Sequence, residues 1–468
     1  MSIRKGPDEL KFQSIFSKLN LFMTRIDSYK MSKHRQILVE LIKQSDEIKR
    51  WVLKGGMSIL DLIIYSGSMF LVSVLLGRWL DIGEYGVYAL AMSFVSLFYQ
   101  IQNALILEPM SVIGPSFYPD SIPNYLSRQR KLHFWILIPL GIFISLGAYF
   151  YRVIGGNPSL ANVLILLGLL AAIIQLPWLI RRSFYVISAP NYAVFFSLIF
   201  SIILVGSTIF FQYKGLLTSS SVLLLISFAS LAALASVISK LKGSPNPSDL
   251  PGNSILWKQN WGFGRWMLLT GIIMVIAGQT PIILSGMIID EEASGVIKAM
   301  QNFMLPMGMI ISTLLALAVP ILAGDSRRIA DQELYRKMKL VATLLISMAG
   351  FYTLFLAIFS VPLEYLLYQG KYADYSYLIP LWGMVPFLMS FATVPSIRMK
   401  LNQTPQGILM AAFVWMLVTL LTCIPFTRLW GLLGTTVSTL IGYIASSMAY
   451  FIIAGRIKKN EAYNRPSS

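Results

Sequence analysis

The chain has 468 residues, 56% of them hydrophobic and 13% charged, and it carries a net charge of +17. Apolar runs longer than 18 residues recur along it, which excludes both a soluble protein of amphipathic helices and a membrane β-barrel of short alternating strands. One cysteine, Cys423, and two histidines, His34 and His133, exclude intrachain disulfides and a Cys- or His-based metal cluster.

Residues 1–51 form a basic arm without a signal-peptide core. Phe12, Ile15, Phe16, Leu19 and Phe22 fall near helical spacing between lysines, a pattern that suits an amphipathic helix on an anionic leaflet. A solvated arm fits the same residues, and Met31 is a second candidate start. Twelve membrane helices then follow, making an all-α polytopic membrane protein. The first six cover about 52–78, 84–113, 126–151, 159–183, 190–212 and 218–240. The second six cover about 259–288, 293–323, 336–361, 374–397, 404–426 and 430–455. The polar, proline-rich stretch at 242–255 separates an N-lobe (52–241) from a C-lobe (256–457), and 458–468 form a short tail.

The basic residues set the orientation. Of the 38 Lys and Arg, 12 lie in the first 54 residues. With the N-terminus in the cytoplasm, the remaining inward segments hold 20 and the outward segments 6. This predicts a protein of the cytoplasmic membrane with both termini inside. Membrane asymmetry accounts for the positive charge, so no nucleic-acid partner is expected.

The stretch "LLGRWLDIGEYGVYALAMSF" (75–94) interrupts the first two spans, and "LSGMIIDEEASGVIKAMQNF" (284–303) echoes it at an offset of 209. Leu75, Gly77, Asp81, Gly86, Val87 and Phe94 face Leu284, Gly286, Asp290, Gly295, Val296 and Phe303. Both stretches join the first and second helices of a six-helix half. An even number of spans per half gives the lobes one orientation, hence a parallel pseudo-two-fold repeat suited to a transporter.

The stretch "VLLGRWLDIGEYGVYALAMS" resembles the start of Wzx-like polysaccharide and O-antigen flippases, a branch of the multidrug/oligosaccharidyl-lipid/polysaccharide (MOP) exporter superfamily. The resemblance extends over the six-plus-six layout, about residues 52–457, while the long N-terminal arm departs from the family pattern. It implies translocation of a polyprenyl-diphosphate-linked oligosaccharide in surface-polysaccharide assembly, among membrane lipids and other assembly proteins. The multidrug branch shares the architecture, and a heavily acidic N-terminal cavity would favour it. A membrane polymerase or ligase would need a large outer loop, which is lacking here. No Walker-type GxxxxGK[ST] stretch is present, so neither ATP hydrolysis nor a cofactor is expected, and a coupling proton or sodium ion stays open.

An unpaired ionisable group at mid-helix costs about 2.5–3.5 kcal/mol on insertion scales. Asp61 and Glu108 are the two carboxylates well inside a predicted span, and Arg265 and Lys298 are the corresponding bases. Arg265 and Lys298 suit the diphosphate in inward- and outward-open states, or they snorkel to the interfaces. Arg181 and Arg182 either collect the head group from the inner leaflet or serve as topology determinants. Asp61 is expected to pair with Arg265 across the lobes, since its repeat equivalent, Thr270, lies just above that arginine. Glu108 offers an alternative proton or sodium site. Gln100, Gln102 and Asn103, with Gln301 and Asn302 in the second half, suit either sugar hydroxyls or helix–helix hydrogen bonds.

Overall fold

The computed structural model describes residues 55–241, 253–325, 329–402 and 404–463. The arm 1–51, most of the linker 242–255 and the end of the tail lie outside the described residues. The compact body begins at Ile59; of the unit 1–58, only 55–58, the first turn of α1, are described.

The described chain is helical. In order it forms α1 (Gly55–Trp79), α2 (Ile82–Gln102), α3 (Glu108–Phe117), α4 (Ile122–Val153) and α5 (Pro158–Ile174). These are followed by α6 (Leu176–Val186), α7 (Pro190–Tyr213), α8 (Ser219–Val237), α9 (Asn253–Ile288) and α10 (Glu291–Asn302). The remainder are α11 (Leu305–Asp325), α12 (Asp331–Tyr368), α13 (Leu378–Phe391), α14 (Thr393–Leu401) and α15 (Pro405–Tyr463). Among the described residues nine helices are long and apolar enough to cross a bilayer, and two bent pairs, α10 with α11 and α13 with α14, bring the total to 11. The protein is a multi-pass membrane protein.

Two of the breaks are set by a single residue each. Between α2 and α3 the chain makes a π-helical turn over Asn103–Leu107. Pro109 lacks the N–H that the Leu105 carbonyl would accept four residues earlier, so the ladder slips there. The freed Leu105 carbonyl accepts instead from Asn260 Nδ2 of α9 at 3.0 Å.

The second break is inside α15, whose 59 residues would reach about 90 Å at 1.5 Å per residue, roughly three times a bilayer core. Gly431 adopts φ 57°, ψ −135°, a conformation open to glycine. The chain doubles back there. Thr427 and Thr435 hydroxyls meet at 2.8 Å, the Trp415 and Tyr443 rings lie 4.7 Å apart, and Ser446 donates to the Ala411 carbonyl at 3.4 Å.

The connector residues 80–81 mark one end of α2, and the α3–α4 link, with Arg128, Arg130 and Lys131 just beyond it, marks the opposite, basic end. At the connector end α2 crosses α10, and the two echoed glycines meet. A Cβ on Gly86 would lie 1.7 Å from the Glu291 carbonyl oxygen, and one on Gly295 2.4 Å from that of Ile82. Both positions permit a backbone approach that alanine forbids. Around the crossing, Tyr85, Tyr88, Tyr368, Tyr372 and Trp382 are fully buried.

Gly86→Ala and Gly295→Ala should each lower the thermal midpoint of the purified protein in detergent by several degrees, since overpacking costs typically 1–3 kcal/mol. Gly67→Ala, with nothing within 4 Å of its Cβ, should leave it unchanged. Equal midpoints for all three would contradict a close crossing of α2 and α10.

Candidate functional site

Asp61 on α1 is completely buried and is the centre of a closed polar cluster. Arg181 of α6 holds it through two nitrogens, Nε at 3.0 Å and Nη2 at 2.8 Å, and the hydroxyls of Tyr185 and Ser197 donate to the same carboxylate. The expected pairing with Arg265 is therefore corrected: the partner is Arg181, from the same half of the sequence. A planar guanidinium fits a carboxylate side-on, and in a low-dielectric interior the nearest bidentate partner wins. Arg181 is 4% exposed, so it is occupied by Asp61 rather than presented to a head group. Arg265 is exposed, with its guanidinium carbon 5.8 Å from the Trp266 ring centroid, and makes no ion pair among the described residues.

Glu108, immediately after the π turn, faces Arg182 at 3.5 Å, both about one-third exposed. Screening makes this contact far weaker than the buried pair.

Arg181 also backs an aromatic wall. Its guanidinium carbon lies 4.2 Å from the Tyr65 ring centroid and 5.3 Å from that of Trp178. Trp178 in turn packs edge-on against Tyr65 at 5.1 Å and against Tyr99 at 4.6 Å. The three rings line a cavity of about 360 Å³ formed by α1, α2, α5, α6, α8, α9, α10 and α11. Polar groups in the wall come from Ser66, Ser73, Ser96, Gln100 and Gln175. Lys298 is the single cation in the lining, it has no hydrogen bond or ion pair among the described residues, and no carboxylate lines the space. Gln100 also borders a second cavity of about 380 Å³, lined by Asn103, Thr270, Gly271 and Gln406 with apolar residues of α9 and α15.

The remaining candidates, Gln102, Gln301 and Asn302, are buried. Asn302 is buried and donates to the hydroxyls of Tyr85 and Tyr368 at 3.0 Å and of Ser73 at 3.2 Å. Gln301 is 6% exposed and lines neither cavity. Gln102 is fully buried and donates to the Gln175 carbonyl at 3.1 Å and to His133 Nδ1 at 3.0 Å. Because His133 Nε2 donates to the Ala172 carbonyl at 2.8 Å, the ring is a neutral tautomer that fastens α4 to the α5–α6 break.

Sequence reasoning missed Tyr65, Tyr99, Trp178 and Gln175. The available signal was local: Tyr65 and Trp178 sit one turn from Asp61 and Arg181, respectively. Lys371 donates to the Gly77, Arg78 and Leu80 carbonyls, capping the end of α1, while Tyr372 donates to the Gly77 carbonyl at 3.1 Å. Burial lowers the Lys371 pKa, and the nearby Asp81 carboxylate opposes that shift. With the Asn302 network, these bonds join the connector end of α1 and α2 to α10, α12 and the residues that follow α12.

No family model and no curated protein matches the sequence. Solved structures do. An inward-facing conformation of a multidrug resistance MATE family transporter of the MOP superfamily is 13% identical, covering 88% of this chain and 100% of that one, with a TM-score of 0.72. The inward closed conformation of the lipid II flippase MurJ is 16% identical, over 86% and 87% of the two chains, at 0.63. An outward-facing MATE structure, 14% identical over 88% and 94%, reaches 0.53. The fold is that of these proteins.

Asp61→Asn should destabilise the protein by about 3–5 kcal/mol, because it leaves Arg181 charged and buried without its partner. Asp61→Asn combined with Arg181→Gln should recover most of that loss in a double-mutant cycle of thermal unfolding. Additive losses would contradict the pairing.

Proposed function

We propose that the chain is a flippase that moves a polyprenyl-diphosphate-linked oligosaccharide across the cytoplasmic membrane for surface-polysaccharide assembly. On this reading it works by alternating access between two six-helix lobes. The arms of α15 on either side of Gly431 count as separate crossings, giving twelve, and the termini lie in the cytoplasm. The observation that carries the reading is the charge of the cavity. Its wall has an unpaired lysine, Lys298, and no carboxylate, so its ligand is anionic.

The chemistry follows from that wall. A diphosphate cannot enter hydrocarbon bare, and Lys298 offsets part of its charge and donates hydrogen bonds to it. Serine hydroxyls and amides suit the sugars, and the rings of Tyr65, Tyr99 and Trp178 offer flat apolar faces to them. Outward movement of an anion is assisted by an inside-negative potential, by about 2.3 kcal/mol per charge per 100 mV. Access to the outer side requires the Lys371, Tyr372 and Asn302 contacts to break. Each such hydrogen bond contributes about 1 kcal/mol, somewhat more for the charged one, a barrier that binding in the cavity is able to offset.

A second reading is an ion-coupled exporter of cationic compounds, favoured at the level of fold by the likeness to MATE transporters. Such an exporter needs a carboxylate facing its cargo. Asp61 is enclosed by Arg181, Tyr185 and Ser197, and Glu108 faces Arg182.

In cells whose own copy is deleted, Lys298→Ala should reduce surface glycan at least tenfold at normal protein level, and Lys298→Arg should restore most of it. Undiminished glycan with Lys298→Ala would remove the anion site from the cavity.

A further inference from the structure

The basic end carries another cavity, of about 370 Å³, between α4 and α9, within the range of about 300–1,000 Å³ usual for ligand sites. Arg128, Lys131 and Trp135 stand on its α4 side, at the i, i+3, i+7 spacing of one helix face. Ser254 and Trp257 stand on its α9 side. Lys131 is exposed and makes no ion pair among the described residues. Gln129 also lines the cavity, and behind it forms a reciprocal amide pair with Asn260. Asn260 donates to Gln129 Oε1 at 2.9 Å, Gln129 donates to Asn260 Oδ1 at 3.3 Å, and both side chains are buried.

From there the face of α4 changes character. Trp135 is 78% exposed, and Ile138 and Ile142 continue the same exposed line toward the connector end. Two cations are thus followed, along one helix, by an interfacial tryptophan and an apolar track. That order matches an anionic lipid read from phosphate to acyl chain. A free phosphate would use the cations alone, whereas a lipid uses the cations and the apolar track beside them.

We propose that this cavity binds one anionic phospholipid at the basic end, with its phosphate on Arg128 and Lys131, its glycerol between Trp135 and Trp257, and an acyl chain along Ile138 and Ile142. The site is separate from the Lys298 cavity and does not depend on what that cavity transports. Because α4 and α9 belong to different halves of the sequence, the lipid braces the contact made by Gln129 and Asn260.

The test is native mass spectrometry and thermal unfolding of the full chain in mixed micelles containing phosphatidylglycerol, phosphatidylcholine, or phosphatidylcholine with inorganic phosphate. One phosphatidylglycerol should be retained preferentially, and it should raise the thermal midpoint. Lys131→Glu should weaken that retention about tenfold or more, the equivalent of one charge-assisted contact, with an unchanged midpoint in phosphatidylcholine. Lys400→Glu, at the exposed end of α14, should retain the lipid as the wild type does. Equal retention by Lys131→Glu and the wild type would overturn the site. So would an equal loss from Lys400→Glu, which would mean diffuse surface attraction, or a midpoint rise with inorganic phosphate that matches phosphatidylglycerol.

Discussion

Charges buried where water is absent must be paired, and the Asp61–Arg181 pair shows what that constraint does to the rest of the molecule. Asp61 accepts from a guanidinium and two hydroxyls, which ties α1 to α6 and α7 at a single carboxylate. A lone buried ion costs several kcal/mol, so this geometry is kept intact or lost together. With Arg181 fixed, Tyr65 and Trp178 are fixed against it, and with them one wall of the cavity. The pair consumes the acid that a cation exporter would need, and Lys298 is left as the cavity's charge.

The connector end and the basic end are fastened by different means. Near the connector, two glycines allow backbone contact between α2 and α10, and Lys371 caps the end of α1. Near the basic end, proline supplies the fastening indirectly. Pro109 frees the Leu105 carbonyl, which Asn260 takes up, and Asn260 also pairs with Gln129. Hydrogen bonds from amides and one lysine can exchange partners at a cost of about 1 kcal/mol each. Exchanging these bonds leaves the core ion pair untouched.

Much of the fold was legible because the bilayer dictates it: apolar runs of bilayer length are helices, and the described helices occupy those runs. The echo at an offset of 209 paired Gly86 with Gly295 as equivalent positions, but not as neighbours, because an offset along the chain does not say which helices pack together. The Asp61 partner was not legible. Sequence offers the depth of a charge along its helix but not its azimuth, and Arg181 and Arg265 were both reachable in depth. Lys298 was singled out because a lysine within a span is costly. The aromatic wall was not, because tyrosine and tryptophan in a membrane chain are common and acquire meaning only from what they face.

Transport of a lipid-linked diphosphate stands or falls with the sign of the cavity's charge. The decisive measurement is transport by the purified protein in liposomes under an applied potential. Two labelled substrates are compared, a polyprenyl-diphosphate-linked sugar and an organic cation. The glycolipid should cross at a rate that increases with a potential negative on its side of origin, and the cation should not cross above the protein-free rate. Transport of the cation with the glycolipid left in place would contradict an anion-carrying cavity.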